Sequence, residues 1–273
     1  MDIVLRLVPD RLWEIFQDVV PEPPVRAQGG GRRRCDDRAV LAAIIFVATS
    51  GCTWRQVPPV FGASWQTIHR RFTDWSTARV WAKLHRVVLD QLGRNGELDW
   101  SRCAIDSASV RAVKGGPLTG PNPTDRGKLG SKMHVVCDRN GLPISVGISG
   151  ANLHDSQALV PLIRGIPLIR GIPPIRSRFG PRRRRPAKLH ADKGYDFDHL
   201  RGWLRHRQIV PRIARRGIEP SDRLGRHRWV VERTMSWLNG CRRLHRRYER
   251  KTEHFLAFVG IASTLICFRR LIR

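Results

Sequence analysis

Cysteine pairs at metal spacing, a long apolar run and a balance of charge are all missing from this sequence, and each absence removes a class of protein. The six cysteines (Cys35, Cys52, Cys103, Cys137, Cys241 and Cys267) lie far apart, with no C-x-x-C pair. That excludes a cysteine zinc site and the dense disulfide framework of a small secreted fold, and they read as reduced core thiols of a cytosolic protein. The most apolar windows, Ala39 to Thr49 and Phe255 to Phe268, span 11 and 14 residues, short of the roughly 20 that a membrane-spanning helix needs. Both are expected to be buried helices, with no membrane as partner. The N-terminal MDIVLRLVPDRLW lacks the basic stretch, apolar run and small-residue cleavage site of a signal peptide. Acid is scarce: 23 Asp and Glu face 50 Lys and Arg, a net charge of +27. Such an excess points to a polyanion, most often nucleic acid, and argues against an enzyme of neutral small molecules. Only 7 of the basic residues are Lys and 43 are Arg; Arg suits bidentate phosphate contacts, although a GC-rich genome produces the same skew.

What is present is enough for a packed core. The chain has 273 residues, 41% of them apolar, with 9 Trp and 9 Phe, which excludes disorder of the whole chain and allows one large domain or two modest ones. Residues 1–95 carry helical periodicity. A short amphipathic helix is expected from Val8 to Val19, then a Pro/Gly/Arg-rich connector from Pro21 to Arg34. Asp36 or Asp37 can cap an apolar helix that Gly51 stops. Ser64 is an N-cap for SWQTIHRRFTDW, whose Trp65, Ile68, Phe72 and Trp75 share one face at i, i+3, i+7 and i+10. The other face would present Gln66, Thr67, His69, Arg70 and Arg71, able to meet phosphates and base edges if this is the second helix of a helix-turn-helix; the plain alternative is a solvated polar face.

From Asp99 the texture becomes β-like. RCAIDSASVR is a strand, and SKMHVVCD and LPISVGIS flank an Asn-Gly turn, a strong hairpin signal. A helix is expected over Leu153 to Ile163, and a tandem LIRGIP copy at 162–173 lies in a basic loop insertion at about 161–187. AKLHAD, the segment Asp196 to Arg207 and QIVPRI then read as strand, helix and strand. A long helix is expected from Gly225 to about Arg250, and a last apolar helix follows. The order of elements fits an α/β ribonuclease-H-like fold over 96–273, three antiparallel strands followed by two parallel additions, better than a doubly wound sheet.

In that fold the first and fourth strands are neighbours, which would bring Asp106 and Asp192 together, and a helix crossing the same sheet edge could add Glu232. Clustered carboxylates repel one another, so two divalent ions about 3.5 to 4 Å apart are the expected occupants, able to clamp the attacking and leaving oxygens of a phosphodiester. Singly, either aspartate could be a strand-end or turn cap. Projected at 100° per residue, Arg228, Glu232, Asn239, Arg243, Arg246 and Arg250 share one face of the long helix, opposite Val230, Trp237, Cys241, Leu244 and Tyr248. The segment 182–251 holds 22 Lys and Arg against 7 Asp and Glu, so Arg228, Arg243 and Arg246 are the candidate phosphate contacts; for Arg243 and Arg246 the alternative is pairing with Glu249 and Glu253.

IDSASVRA, GKLGSKMHVVCDRNGLPISVGISGANLHD, LHADKGYD and RHRWVVERTMSWLNGCRRLHRRYER together resemble the bacterial insertion-sequence DDE transposases, in particular the insertion-sequence-five-like group. WRQVPPVFGASWQTIHRRFTDW resembles that group's helical DNA-binding region. The resemblance implies a ribonuclease-H-like catalytic core with Asp106, Asp192 and Glu232 as catalytic metal ligands for Mg²⁺, with Mn²⁺ a substitute. It further implies binding of the element's terminal inverted repeats and of target DNA, and a homo-oligomer on DNA. Related groups show Tyr, Arg, Glu and Lys at fixed spacing; here Arg228 and Glu232 match, whereas Gly225 stands at the Tyr position and Asn239 at the Lys position. The alternative is a catalytically impaired remnant that only binds DNA.

Overall fold

The computed structural model describes residues 2–22, 34–165, 171–218 and 225–273, with the backbone alone at 225–227. Most of the Pro21 to Arg34 connector and the centre of the LIRGIP repeat lie outside the described residues.

The N-terminal part is helical: α1 (Ile3–Leu7), α2 (Asp10–Gln17), α3 (Asp37–Ser50), α4 (Trp65–Thr77) and α5 (Val80–Arg94). The helix expected over Val8 to Val19 is α2, which starts two residues later because Pro9 takes its N-cap, and the short α1 precedes it where no helix was expected. Asp36 caps α3 by accepting from the Arg38 and Ala39 amides, and Gly51 closes it at φ 75°. The α3 to α4 connection, residues 51–64, carries two 3-10 turns, longer than the short turn of a helix-turn-helix. The short turn instead joins α4 to α5, whose Trp81, Leu84, Val88 and Leu92 are buried.

Among the described residues seven strands form one mixed sheet: β1 (Cys103–Ala112), β2 (Gly120–Pro121), β3 (Leu129–Asp138), β4 (Pro143–Gly150), β5 (Lys188–Ala191), β6 (Val210–Ile213) and β7 (Arg246–Arg247). β4, β3 and β1 pair antiparallel in that order, and β5 and β6 extend from β1 in parallel. This is the ribonuclease-H-like arrangement expected from the strand order. The β3–β4 turn is held by Asp138, whose carboxylate accepts from the amides of Asn140, Leu142 and Asp99. Its Gly141, at φ 87°, is where α8 (Gly225–Asn239) packs; a Cβ there would lie 3.1–3.2 Å from Arg233, Thr234 and Trp237.

Two further helices, α6 (Leu159–Arg164) and α7 (Asp198–His206), follow β4 and β5, and α9 (Thr252–Leu271) ends the chain. α9 is 20 residues, longer than the 14-residue apolar window, and is long and apolar enough to cross a membrane by length and composition, but 83% of its most apolar stretch is buried inside the protein. It packs on α5, β4, α3 and α4, and one continuous apolar cluster takes in the N-terminal helices, α9 and the sheet.

The long helix ends at Asn239, not near Arg250. Gly240 follows it, His245 Nε2 contacts the Asn239 carbonyl at 2.8 Å, and the chain then enters β7 against β1, burying Arg247 among main-chain carbonyls of residues 117, 118, 249 and 250. Sheet pairing and this buried guanidinium outweigh the helical periodicity of the sequence. The buried face of α8 is Val230, Val231, Thr234, Met235 and Leu238, and Trp237, expected inside, is 39% exposed.

Candidate active site

Asp106 and Asp192 stand side by side because of strand register. β1 and β5 run parallel with Cys103 opposite Leu189 and Ala104 opposite His190. The same offset carried two residues further sets Asp106 beside Asp192, which leaves β5 as the N-cap of a 3-10 turn. Each aspartate commits one oxygen to a nearby amide: Asp106 Oδ1 accepts from Ser107 N at 2.8 Å and Asp192 Oδ1 from Gly194 N at 2.9 Å. The other oxygen of each points to one cation. Arg228 Nη2 lies 3.6 Å from Asp106 Oδ2 and 4.0 Å from Asp192 Oδ2, and its buried Nε has no hydrogen-bond partner among the described residues. Burial raises the Asp106 carboxyl above its usual range; the Ser107 amide and Arg228 oppose this, while Asp192 and Asp155 add to it.

Asp155, Ser107, Lys132 and Tyr195 complete the surroundings. Asp155 Oδ1 accepts from Ser107 Oγ at 2.7 Å and pairs with Lys132 Nζ at 2.9 Å. Burial alone would raise the Asp155 carboxyl, but these contacts and the Lys132 charge hold it below the ordinary value. Tyr195 is fully buried and its hydroxyl has no partner among the described residues. Burial pushes that phenol well up, and Asp155, Asp106 and Asp192 push it further. A proton-bearing hydroxyl therefore sits within electrostatic reach of three carboxylates. Beside them, burial lowers the His134 imidazole to about 4, so it is neutral near pH 7.

Glu232 is exposed on α8, one turn beyond Arg228. Among the described residues no three His, Cys, Asp or Glu side chains converge as a metal-binding group, so the structure brings together Asp106, Asp192 and Arg228, with Glu232 on the same helix stripe. Paired hard oxygens and an unpartnered hydroxyl suit a divalent cation. Asp106 Oδ2 and Asp192 Oδ2 are the atoms that would hold it, with Glu232 the next acid along α8.

The candidate DNA contacts divide. Gln66 and Arg70 are exposed on α4, and Thr67 is half-buried with its amide and hydroxyl engaged by Ser64 Oγ. Arg71, expected on that exposed face, is buried: its guanidinium lies 3.5 Å from Asp37 Oδ1 and stacks on Trp75, which ties α4 to α3. Arg243 is a second correction. It is buried, pairs with Glu249 at 2.7 Å and donates to the Cys52 carbonyl, the pairing that the charge pattern left as the alternative. Arg246 is exposed on β7, opposite the exposed Arg111 of β1. Like charges in register on one edge repel one another and favour a bound anion.

Sequence reading missed Asp155, Lys132, Tyr195 and Arg111. Lys132 had a signal in the sequence, since a cation inside an apolar strand needs a partner.

The chain matches two protein families, described as "Putative transposase of IS4/5 family" over residues 8–85 and "Transposase DDE domain" over residues 99–267. It is 46% identical over 159 residues to "Putative transposase for insertion sequence element IS402" of Burkholderia cepacia, covering 58% of this chain and 72% of that relative. It is also 39% identical over 119 residues to "Insertion element IS402 uncharacterized 16.2 kDa protein" of the same organism, covering 43% of this chain and 81% of that relative.

Proposed function

Because this chain belongs to the IS4/5 family of DDE transposases, we propose that it binds the terminal inverted repeats of an insertion sequence and cuts and joins DNA at Asp106 and Asp192. The observation that carries this reading is the register match of the two aspartates around one cationic position. Mg²⁺ or Mn²⁺, when bound, supplies Lewis-acid stabilisation of the phosphorane-like charge. Asp106 and Asp192 would hold the ions through their Oδ2 atoms, with Glu232, on the same stripe of α8 as Arg228, as the third ligand. Arg228, whose Nη2 lies beside both Oδ2 atoms, would be placed to contact a non-bridging phosphate oxygen.

In the cleavage step water attacks phosphorus and gives up its proton to solvent, the P–O3′ bond breaks, and the departing 3′-oxygen takes a proton from solvent, leaving a 5′-phosphate and a 3′-hydroxyl. In the joining step that hydroxyl attacks a target phosphodiester and displaces its 3′-oxygen. Gln66, Thr67 and Arg70 on α4 would read the repeat, and Arg111 and Arg246 would take phosphates along the sheet edge. Two ends must be held at once, which favours a homo-oligomer on DNA, acting in the bacterial cytoplasm. The test is incubation of the purified protein with Mg²⁺ or Mn²⁺ and a duplex carrying the DNA that flanks the gene. Nicks at the repeat and joined products are expected. Binding without nicks would instead favour the impaired, DNA-binding remnant.

A further inference from the structure

A second stripe of α8, one position round from Arg228 and Glu232, carries Trp229, Arg233 and Trp237 at i, i+4 and i+8. The Arg233 guanidinium lies 4.5 Å and 4.6 Å from the two indole centroids, and its Nη2 donates to the Asn140 carbonyl at 2.7 Å. It is a fixed spacer between two large aromatic rings. The indoles are nonetheless 48% and 39% exposed, an unusual position for side chains that usually supply the core. They border a groove of about 650 Å³ whose other walls are the β3–β4 turn and the end of α9, with Arg139, Arg269 and Arg270 on its rim. The nearby acids are engaged: Asp99 with Arg139 at 3.3 Å and Glu97 with Arg270 at 2.6 Å. Neither Arg233 nor Arg269 has a carboxylate partner among the described residues.

An apolar protein surface would leave these guanidinium groups desolvated and unpaired. Duplex DNA could meet the arginines but hides its base faces inside the stack, so the indoles would gain nothing from it. Unpaired nucleotides offer both a flat π-face and a phosphate. We propose that this groove binds single-stranded DNA, with bases stacked on Trp229 and Trp237 and phosphates on Arg269 and its neighbours. The groove is separate from the paired aspartates and its binding does not depend on cleavage there.

The test is fluorescence anisotropy of a labelled 20-nucleotide oligo-dT in EDTA, where strand cleavage plays no part, beside a duplex of equal length. Trp229→Ala and Trp237→Ala should each weaken oligo-dT binding by about tenfold while duplex affinity stays within about twofold, and Trp237→Phe, which keeps an aromatic face, should retain most of it. Arg269→Ala should flatten the oligo-dT salt slope by about 0.7. Thermal melts would establish that each variant is folded. Folded Trp variants with unchanged oligo-dT affinity would overturn the proposal, as would an equal loss on both DNAs. A change of oligomeric state with oligo-dT binding intact would assign the groove to a second copy of the chain and overturn it too.

Discussion

Arg228 Nη2 stands 3.6 Å from Asp106 Oδ2, so a side chain of α8 supplies the positive charge that the β1 carboxylate needs. Its 4.0 Å approach to Asp192 makes the guanidinium a shared counter-ion. Arg228→Ala should therefore leave two facing carboxylates unscreened and cost about 1 kcal/mol of stability without divalent ions, between the value of an exposed pair and that of a buried one. Because a cation would compete with Arg228 for the same oxygens, Mg²⁺ should raise the melting temperature of the variant more than that of the wild type. Thermal unfolding with and without Mg²⁺ checks both points, and equal shifts in the two proteins would separate Arg228 from the ion site.

Arg243 and Arg246 lie three residues apart and should behave in opposite ways. Arg243→Ala strands the buried Glu249 and should destabilise the fold by about 3 to 5 kcal/mol. Arg246→Ala, on an exposed sheet edge, should leave stability unchanged and flatten the slope of log affinity against log salt on duplex DNA by about 0.9. Urea unfolding and salt-dependent binding separate the two.

The Asn-Gly hairpin and the alternation of later strands and helices dictated the sheet order, and the order placed Asp106 next to Asp192 across 86 positions of chain. Helical projection, in contrast, assigned Arg71 and Arg243 to solvent because it treats arginine as exposed by default. In the fold each finds a carboxylate outside its own element and packs against an aromatic ring, Arg71 with Asp37 of α3 and Trp75 of its own helix, Arg243 with Glu249 and Phe258. Projection also ran α8 past Gly240, since pairing of β7 with β1 is a long-range effect with no local trace. Asp155 and Tyr195 were invisible for the same reason: each reaches the site from a turn, and only β1 and β5 together define where that site is.

Acid should weaken the fold through His134. Its folded-state value is lowered to about 4 by burial, so the unfolded chain binds the proton first. The stability it contributes is present above the ordinary imidazole range and lost as pH falls from about 6.5 toward 4. At pH 5 the loss from this residue is roughly 2 kcal/mol relative to pH 7. Urea titrations at the two pH values measure it, and His134→Gln should remove that share of the pH dependence; an unchanged dependence would mean that His134 does not carry it.

The paired aspartates are most directly tested by Asp106→Asn, which keeps the shape of the side chain and removes its charge. With Mn²⁺ and a duplex bearing the element's terminal repeat, this variant should bind the repeat within about threefold of wild type, since the residue contributes no phosphate contact, while nicking falls by about a thousandfold or more, on the scale of a lost electrostatic element of the transition state. Nicking at the wild-type rate by a folded Asp106→Asn protein would contradict the assignment of cleavage to this pair.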